Sequence, residues 1–240
     1  MKNKNKVLLT LKTHKMNIKI TKEQHERLSK VPYTEYLFGS QLHGIATEES
    51  DRDFIRIYDF KDVFAYNGVG KYFPAVHSLQ YDDTENNCQY VWMTIKQFYS
   101  NLFSGDGNMV ADIVLLSDQF YKPLEMCRTY RIIKGYLGVG KRDLKLHGES
   151  EKKRFHALRS LMMAEKLIDN QLPTIEGIKN LKKTELPSRQ ELFEKEITLR
   201  AKLNIMLEKG EIFHYPILPI EDNLLSLLLN SNNIKEFKYD

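Results

Sequence analysis

The stretch that decides the fold is Leu37-Phe38-Gly39-Ser40, followed after ten residues by Asp51-Arg52-Asp53, in a chain of 240 residues. The aromatic run Tyr33–Phe38 is typical of a β-strand, and Gly39-Ser40 marks a turn from that strand into a helix. Glycine lets the backbone approach a phosphate closely. Free N–H groups at a helix N-terminus, together with the Ser40 hydroxyl, can then hold phosphate oxygens. The pattern therefore predicts a phosphate-binding turn at Gly39 and Ser40.

The two aspartates that follow the turn form a pattern for metal-assisted chemistry. Residues two apart on a strand point to the same face, so Asp51 and Asp53 are predicted to lie side by side. Mg²⁺ takes oxygen ligands and is commonly bound by one or two carboxylates together with substrate phosphates. This combination indicates phosphoryl-type transfer from a nucleoside triphosphate. Two plainer interpretations stay open: the aspartates lie in a solvated turn, and Ser40 is an ordinary helix N-cap.

The same residues carry a resemblance to a known family. Gly-Ser, ten residues and Asp-x-Asp together resemble the nucleotidyltransferase motif of the DNA polymerase beta superfamily. The longer form, Gly39–Ala46 running on to Ser50–Asp53, resembles the predicted nucleotidyltransferases associated with RNA repair. Further similarity to that family is found in Thr94–Phe98, in Gly107-Asn108 and in the helix Lys152–Arg159.

This resemblance implies both a fold and an activity. The fold is α+β: a nucleotidyltransferase fold, with a short mixed β-sheet flanked by helices, followed by a C-terminal helical domain. We expect a basic extension over residues 1–20, the catalytic domain over 21–125 and the helical domain over 126–240. The implied activity moves a nucleoside monophosphate from a nucleoside triphosphate to an acceptor hydroxyl. Mg²⁺, or alternatively Mn²⁺, would be bound by the catalytic Asp51 and Asp53.

A basic helix supplies the predicted partners of the phosphates. Lys152, His156 and Arg159 are spaced i, i+4 and i+7 and therefore share one face. Arginine suits bidentate contacts with phosphate and lysine provides a point charge, so these three residues are predicted to bind the nucleotide phosphates alongside Gly39 and Ser40. The alternative is a solvated basic face without a ligand.

One residue expected from the resemblance is missing. The superfamily usually supplies a third carboxylate from a later strand, which helps to bind the metal and can accept the proton of the attacking hydroxyl. We would look for it just before the Thr94 helix, where the chain reads Cys88-Gln89-Tyr90-Val91-Trp92. Asp82, Asp83 and Glu85 lie upstream and are the candidates to replace it.

Charge is distributed unevenly along the chain. The formal net charge is +4, but residues 1–30 carry a net +7, residues 31–120 carry −8, residues 121–160 carry +7 and residues 161–240 carry −2. The acidic block contains the predicted metal ligands, and the third block contains the basic helix. Basic blocks of this kind favour RNA as the acceptor.

Several other classes of protein are excluded. No run approaches the roughly 18 apolar residues of a membrane helix, so we expect no membrane partner. Cys88 and Cys127 are far apart and lie in no Cys-x-x-Cys pattern, which predicts neither a disulfide framework nor a zinc site. The expected compartment is the reducing cytoplasm of a bacterium or of a phage-infected host.

Hydrophobic spacing and capping residues predict the remaining elements. Helices are predicted after Thr21, after Thr94, and over Glu151–Leu167 and Arg189–Lys209. Strands are predicted at Met16–Thr21, Phe54–Tyr58 and Tyr90–Met93. Residues 59–89 are predicted to be mostly loop, and Pro173 and Gly177 to interrupt the helical half.

The acceptor and the activity itself leave alternatives. A protein hydroxyl is the main alternative to RNA, because the spacing also resembles minimal nucleotidyltransferases that act as antitoxins and adenylylate a partner protein. The missing carboxylate favours a further alternative, a catalytically degenerate protein that binds RNA or nucleotide without turnover. His43 and Gly44 are expected to shape the turn rather than to react.

Overall fold

The chain folds as an α+β protein, as predicted, with a small mixed sheet followed by a largely helical second half. A computed structural model describes residues 18–58, 78–105, 108–147 and 149–215. The predicted basic extension lies mostly outside this part, as do Gly107 and the side chain of Lys96. The strands are β1 Ile18–Lys19, β2 Tyr33–Phe38, β3 Arg52–Tyr58, β4 Leu79–Asp83 and β5 Cys88–Thr94. The helices are α1 Lys22–Leu28, α2 Gly39–Leu42, α3 Ile95–Ser104, α4 Asn108–Leu116, α5 Pro123–Cys127, α6 Tyr130–His147, α7 Glu151–Ile168, α8 Ile175–Lys183 and α9 Arg189–Glu208.

The five strands are arranged in the order β1-β4-β5-β3-β2. β2 is antiparallel to β3, β3 is parallel to β5, and β4 is antiparallel to β5. The register places Phe38 opposite Asp53, Asp53 opposite Gln89, and Gln89 opposite Asp82. Because residues paired across neighbouring strands lie on the same face of a sheet, these four side chains form one row.

The two faces of the sheet pack against different helices. One face contributes Tyr36, Ile55, Val91 and Met93 to a large cluster of buried side chains that continues through the helices as far as α9. The opposite face contributes Tyr58, Leu79 and Trp92 to a smaller cluster closed by Leu28 of α1. The row that contains Asp53 lies on the first face, towards the helical half, because residues two apart on a strand share a face.

Helix α1 is held on the smaller cluster by a half-buried histidine, His25. Trp92 Nε1 donates a hydrogen bond of 3.1 Å to His25 Nδ1, and the His25 ring stacks on Tyr81. Burial, followed by the positive charge of Arg56, lowers the pKa of His25 to about 4. The imidazole is therefore neutral at pH 7 and can accept the indole proton.

The capping residues correctly predicted where three helices begin. Thr21, Thr94 and Ser188 each form a complete capping box with the residue three positions later. The predicted strand Tyr33–Phe38 has the bounds found in the structure. Strand Phe54–Tyr58 was predicted too short, since β3 begins at Arg52 and includes Asp53.

Two elements were predicted wrongly. Residues 59–77 of the predicted loop 59–89 lie outside the described residues, and β4 occupies part of the rest. This strand ends in two aspartates and is stabilised by pairing with β1 and β5 rather than by its own composition. Helix α8 occupies the predicted interruption of the helical half. Pro173 precedes this helix instead of breaking it, and Thr174 caps it through a 3.0 Å bond from the Gly177 N–H.

Within the described ranges, no helix combines the length and the apolar character that crossing a bilayer requires.

Candidate functional site

The predicted glycine turn and the predicted aspartate meet directly in the structure. Gly39 has a φ of 63°, a left-handed conformation that favours glycine. A Cβ placed on Gly39 would lie 2.5 Å from Asp53 Oδ2. The pairing of Phe38 with Asp53 in the β2–β3 ladder produces this approach. A side chain at position 39 would have to displace the carboxylate, so these two parts of the sequence motif lie side by side.

The turn that follows Gly39 is closed by its own backbone. The N–H of His43 donates to the Gly39 carbonyl at 3.2 Å, and the N–H of Ile45 donates to the Ser40 carbonyl at 3.1 Å. Ser40 is not the N-cap of α2, because that position belongs to Phe38. Its Oγ is shielded from solvent and has no hydrogen-bond partner among the described residues. Buried hydroxyls are normally satisfied, so Ser40 offers a free polar atom beside Gly39.

The two aspartates have different environments. Asp51 is exposed and directly precedes β3, whereas Asp53 lies inside β3 and is half-buried. Burial, followed by the negative charge of Asp51, raises the pKa of Asp53 to about 6. A carboxylate with a raised pKa lacks compensating positive charge. The solvated-turn interpretation therefore does not describe Asp53.

Gln89 lies next to Asp53, in the segment where the resemblance led us to expect a third carboxylate. Gln89 lies opposite Asp53 on the parallel strand β5, and its Nε2 donates a hydrogen bond of 3.0 Å to Asp82 Oδ1. Asp82 is thus separated from Asp53 by one whole strand, and it also forms an ion pair of 2.9 Å with Lys19. In the part of the chain that the structure describes, no three His, Cys, Asp or Glu side chains are grouped to hold a metal ion.

The other two candidates for the third carboxylate are engaged in the β4–β5 hairpin and its surroundings. Asp83 accepts hydrogen bonds from both the backbone and the side chain of Asn86. Glu85 lies 3.5 Å from the ammonium group of Lys22 on α1. Neither residue joins Asp51 and Asp53 in a metal-binding group of the kind described above.

His43 anchors the turn to the helical half. It is buried, and its Nε2 lies 2.9 Å from Oδ2 of Asp112 on α4. Arg159 of α7 contacts the His43 ring and lies 3.8 Å from the same carboxylate, while the Tyr136 hydroxyl donates to Asp112 Oδ1 at 2.5 Å. Burial acts to raise the pKa of Asp112, but the His43 hydrogen bond and the Arg159 charge outweigh it and lower the pKa. His43 is therefore placed to fix the turn rather than to meet a substrate.

The three residues predicted on one face of the basic helix differ in exposure. Lys152 is exposed and His156 is half-buried. Burial, followed by the charge of Arg159, lowers the pKa of His156 to about 4, so this imidazole is neutral at pH 7. Arg159 points inward to His43 and Asp112. Arg159 therefore reaches the turn that follows Gly39 only indirectly, by contacting the His43 ring.

Sequence reasoning missed a second source of positive charge, on helix α8. A Cβ placed on Gly44, whose φ is 66°, would lie 2.6 Å from Lys179 Cε and 2.8 Å from Ile175 Cγ2. Lys182 Nζ donates to the Ile45 carbonyl at 3.4 Å. The sequence signal for α8 is Pro173-Thr174 followed by an amphipathic lysine-rich stretch. This pattern is typical of a helix start, not of an interruption between helices.

The donor set fits a hydrated Mg²⁺ ion bound jointly with phosphates. Asp51 and Asp53 provide two carboxylates, and the raised pKa of Asp53 marks a place where a cation would be stabilising. The unpartnered Ser40 hydroxyl fits a phosphate oxygen. With two protein carboxylates, the remaining metal ligands would come from water and substrate, as is usual for Mg²⁺.

No protein-family model, curated protein or solved structure matches this chain.

The Gly39 contact predicts opposite effects for two glycine-to-alanine changes. Gly39→Ala should lower the free energy of unfolding by about 1–2 kcal/mol, since φ is positive, and should displace the Asp53 carboxylate. Gly138→Ala, on the exposed side of α6 with nothing within 4 Å of the new Cβ, should raise it by about 0.5–1 kcal/mol. Urea unfolding monitored by circular dichroism measures both. Equal effects of the two changes would contradict the contact.

The raised pKa of Asp53 predicts a pH-dependent response to Mg²⁺. Without metal, the native state holds this proton more tightly than the unfolded chain, and the resulting stabilisation is lost as the pH rises through about 6. Above that pH, bound Mg²⁺ should stabilise the native state instead. At a concentration of ten times its Kd, Mg²⁺ adds about 1.4 kcal/mol to the free energy of unfolding, which corresponds to a Tm increase of about 3–6 °C. Thermal scans at pH 7.5 and pH 5 measure the increase, which should be small at pH 5.

Two variants provide the controls for this response. Asp53→Asn should abolish the Tm increase at pH 7.5, whereas Asp118→Asn, at an exposed aspartate outside the site, should leave it unchanged. A full response in the Asp53 variant would show that the ion binds elsewhere.

Proposed function

We propose that this protein is a Mg²⁺-dependent nucleotidyltransferase of the DNA polymerase beta superfamily, related to the RNA-repair-associated family, and that its acceptor is RNA. The observation that carries the proposal is the direct contact between the Gly39 turn and the Asp53 carboxylate. A glycine turn that can hold phosphates and a carboxylate pair that can hold Mg²⁺ must be adjacent for this chemistry. The small mixed sheet of five strands among the described residues supports the proposal at the level of the general fold class.

Each group would have a defined task in the reaction. The Gly39-Ser40 turn would hold the triphosphate, and Asp51 and Asp53 would hold Mg²⁺, with Mn²⁺ as an alternative ion. Bound Mg²⁺ supplies charge neutralisation on the phosphate oxygens. The acceptor hydroxyl attacks the α-phosphorus in line, the bond between the α-phosphorus and the bridging oxygen breaks, and pyrophosphate leaves. Catalysis then consists mostly of positioning and electrostatic stabilisation.

The reaction also needs a group that accepts the proton of the attacking hydroxyl. A third carboxylate could take it, but Gln89 occupies the position next to Asp53 and cannot accept a proton at neutral pH. We therefore expect transfer to be slow and to become faster as the pH rises, because hydroxide then assists deprotonation.

The acidic pair is predicted to be indispensable for transfer. Asp51→Ala and Asp53→Ala should each lower the rate by about 10³-fold, since each removes several kcal/mol of charge stabilisation in the transition state. The assay is incubation with α-labelled ATP, CTP, GTP and UTP, Mg²⁺ and total RNA or a cell lysate. Asp118→Ala is the matched control and should retain full activity.

The position of the label also decides the acceptor. Label in nuclease-sensitive material supports RNA, whereas label in protease-sensitive material supports the antitoxin-like alternative in which a protein hydroxyl is modified. Full activity in either aspartate variant would overturn the site assignment.

A second candidate function is favoured by Gln89. A protein with an amide in place of the third carboxylate could bind Mg²⁺ and nucleotide, or RNA, without transfer. The hydrogen bond from Gln89 to Asp82 supports it, because an ionised carboxylate at position 89 would face the negative charge of Asp82 instead.

Gln89→Glu separates the two candidates, because it restores a carboxylate without changing the side-chain size. We expect this variant to transfer faster than the wild type at neutral pH and above, where a glutamate is ordinarily ionised. Gln190→Glu, at an exposed position, should have no effect. If the wild type binds nucleotide without transferring it and the Gln89→Glu variant is active, the second candidate function, binding without turnover, is supported. No gain in a variant that still binds nucleotide would show that position 89 does not limit the reaction.

A further inference from the structure

Two lysines of α8 lie beside the motif turn with their charges uncompensated. Lys179 packs its side-chain stem against Gly44, and Lys182 reaches the Ile45 carbonyl with its ammonium group. Both are exposed residues. The Ile45 N–H donates to the Ser40 carbonyl at 3.1 Å, so these cations flank the far end of the same turn.

Other lysines nearby are paired, unlike these two. Lys183, the next residue on the helix, pairs with Glu176 at 3.8 Å, and on α9 Lys195 pairs with Glu165 at 2.7 Å and Lys202 with Asp169 at 2.6 Å. Among the described residues, no carboxylate lies within 4.0 Å of Lys179 or Lys182. Their charges are therefore available to an external anion.

The packing of Lys179 also prepares it for binding. The absence of a Cβ at Gly44 provides the space in which the Lys179 stem lies against the turn. A stem that is already ordered loses less rotamer entropy when its ammonium group contacts a ligand. The preorganised pair presents two point charges on an exposed helix, a sequence-independent contact of the kind that nucleic-acid backbones receive.

We propose that Lys179 and Lys182 bind backbone phosphates of the RNA acceptor next to the Gly39–Ile45 turn. The proposal deepens the proposed function and rests on it only in taking RNA as the partner. Lysine is suited to this task, because a flexible ammonium group follows a phosphate without demanding a fixed geometry.

The test is a fluorescence-anisotropy titration of the full chain with a labelled oligouridylate of roughly 16 nucleotides, without nucleotide and with EDTA, over a series of salt concentrations. Lys179→Gln and Lys182→Gln should each weaken binding several-fold at low salt. Each should also reduce the slope of log K against log salt by about 0.7, the value for one phosphate contact on a single strand. The double variant should lose about twice as much of the slope.

Lys183→Gln is the matched control, since it removes an equally exposed charge that is already paired with Glu176. The proposal is overturned if the wild type does not bind the oligonucleotide, if the double variant keeps the wild-type slope, or if Lys183→Gln has the same effect as Lys179→Gln. It is also overturned if the lysine variants weaken binding of Mg²⁺-ATP but not of RNA, because the phosphates would then be those of the nucleotide.

Failure of this inference and failure of the proposed function are distinguishable. RNA binding is measured without Mg²⁺ and nucleotide, so it does not depend on transfer, and Asp51→Ala should bind RNA at least as tightly as the wild type. If the wild type shows no nucleotide transfer but the lysine variants lose RNA binding, the role of the two lysines is retained and the proposed enzymatic activity is rejected.

Discussion

The close approach of Gly39 to the Asp53 carboxylate is the constraint on which the rest of the site depends. A side chain at position 39 would need the space that Asp53 Oδ2 occupies, and the positive φ of Gly39 adds strain to any such replacement. The β2–β3 register sets this distance, since it pairs Phe38 with Asp53. A shift of one residue would turn Asp53 to the other face of the sheet. The turn and the carboxylate are therefore positioned by the same backbone hydrogen bonds.

The helical half fixes the turn from the other side through buried charge. Asp112 lies in the interior between the His43 imidazole, the Tyr136 hydroxyl and the Arg159 guanidinium. Removing one member of a buried ionic group leaves its partners uncompensated, which commonly costs about 3–5 kcal/mol. The sheet provides the carboxylate pair, and the helices hold the turn that faces it. One continuous cluster of buried side chains also joins the strands to the helices as far as α9.

Local features of the fold could be predicted from the sequence, whereas its long-range pairings could not. The strand Tyr33–Phe38 and the helix starts after Thr21, Thr94 and Ser188 depend on neighbouring residues, and these predictions are confirmed. β4 was missed because its stability comes from two neighbouring strands. The spacing of Lys152, His156 and Arg159 indicated a shared face, but no local rule shows that Arg159 points to a histidine more than a hundred residues earlier. The pairing of Gln89 with Asp53 across β5 and β3 likewise depends on the strand register, which the sequence alone does not predict.

The sequence separations within the site bear on how it assembles during folding. Gly39 and Asp53 are close along the chain and belong to one antiparallel pair, whereas Asp53 and Gln89 are joined across parallel strands, and His43 and Arg159 are 116 residues apart. Loop-closure entropy grows with separation, and non-local contacts form late. The approach of Gly39 to the Asp53 carboxylate can therefore form early, when β2 pairs with β3. Gln89 comes to lie beside Asp53 when β5 pairs with β3. The turn is fixed only after α7 has folded and Arg159 contacts His43. A nascent chain would form the Gly39 and Asp53 half of the site before the half that immobilises it.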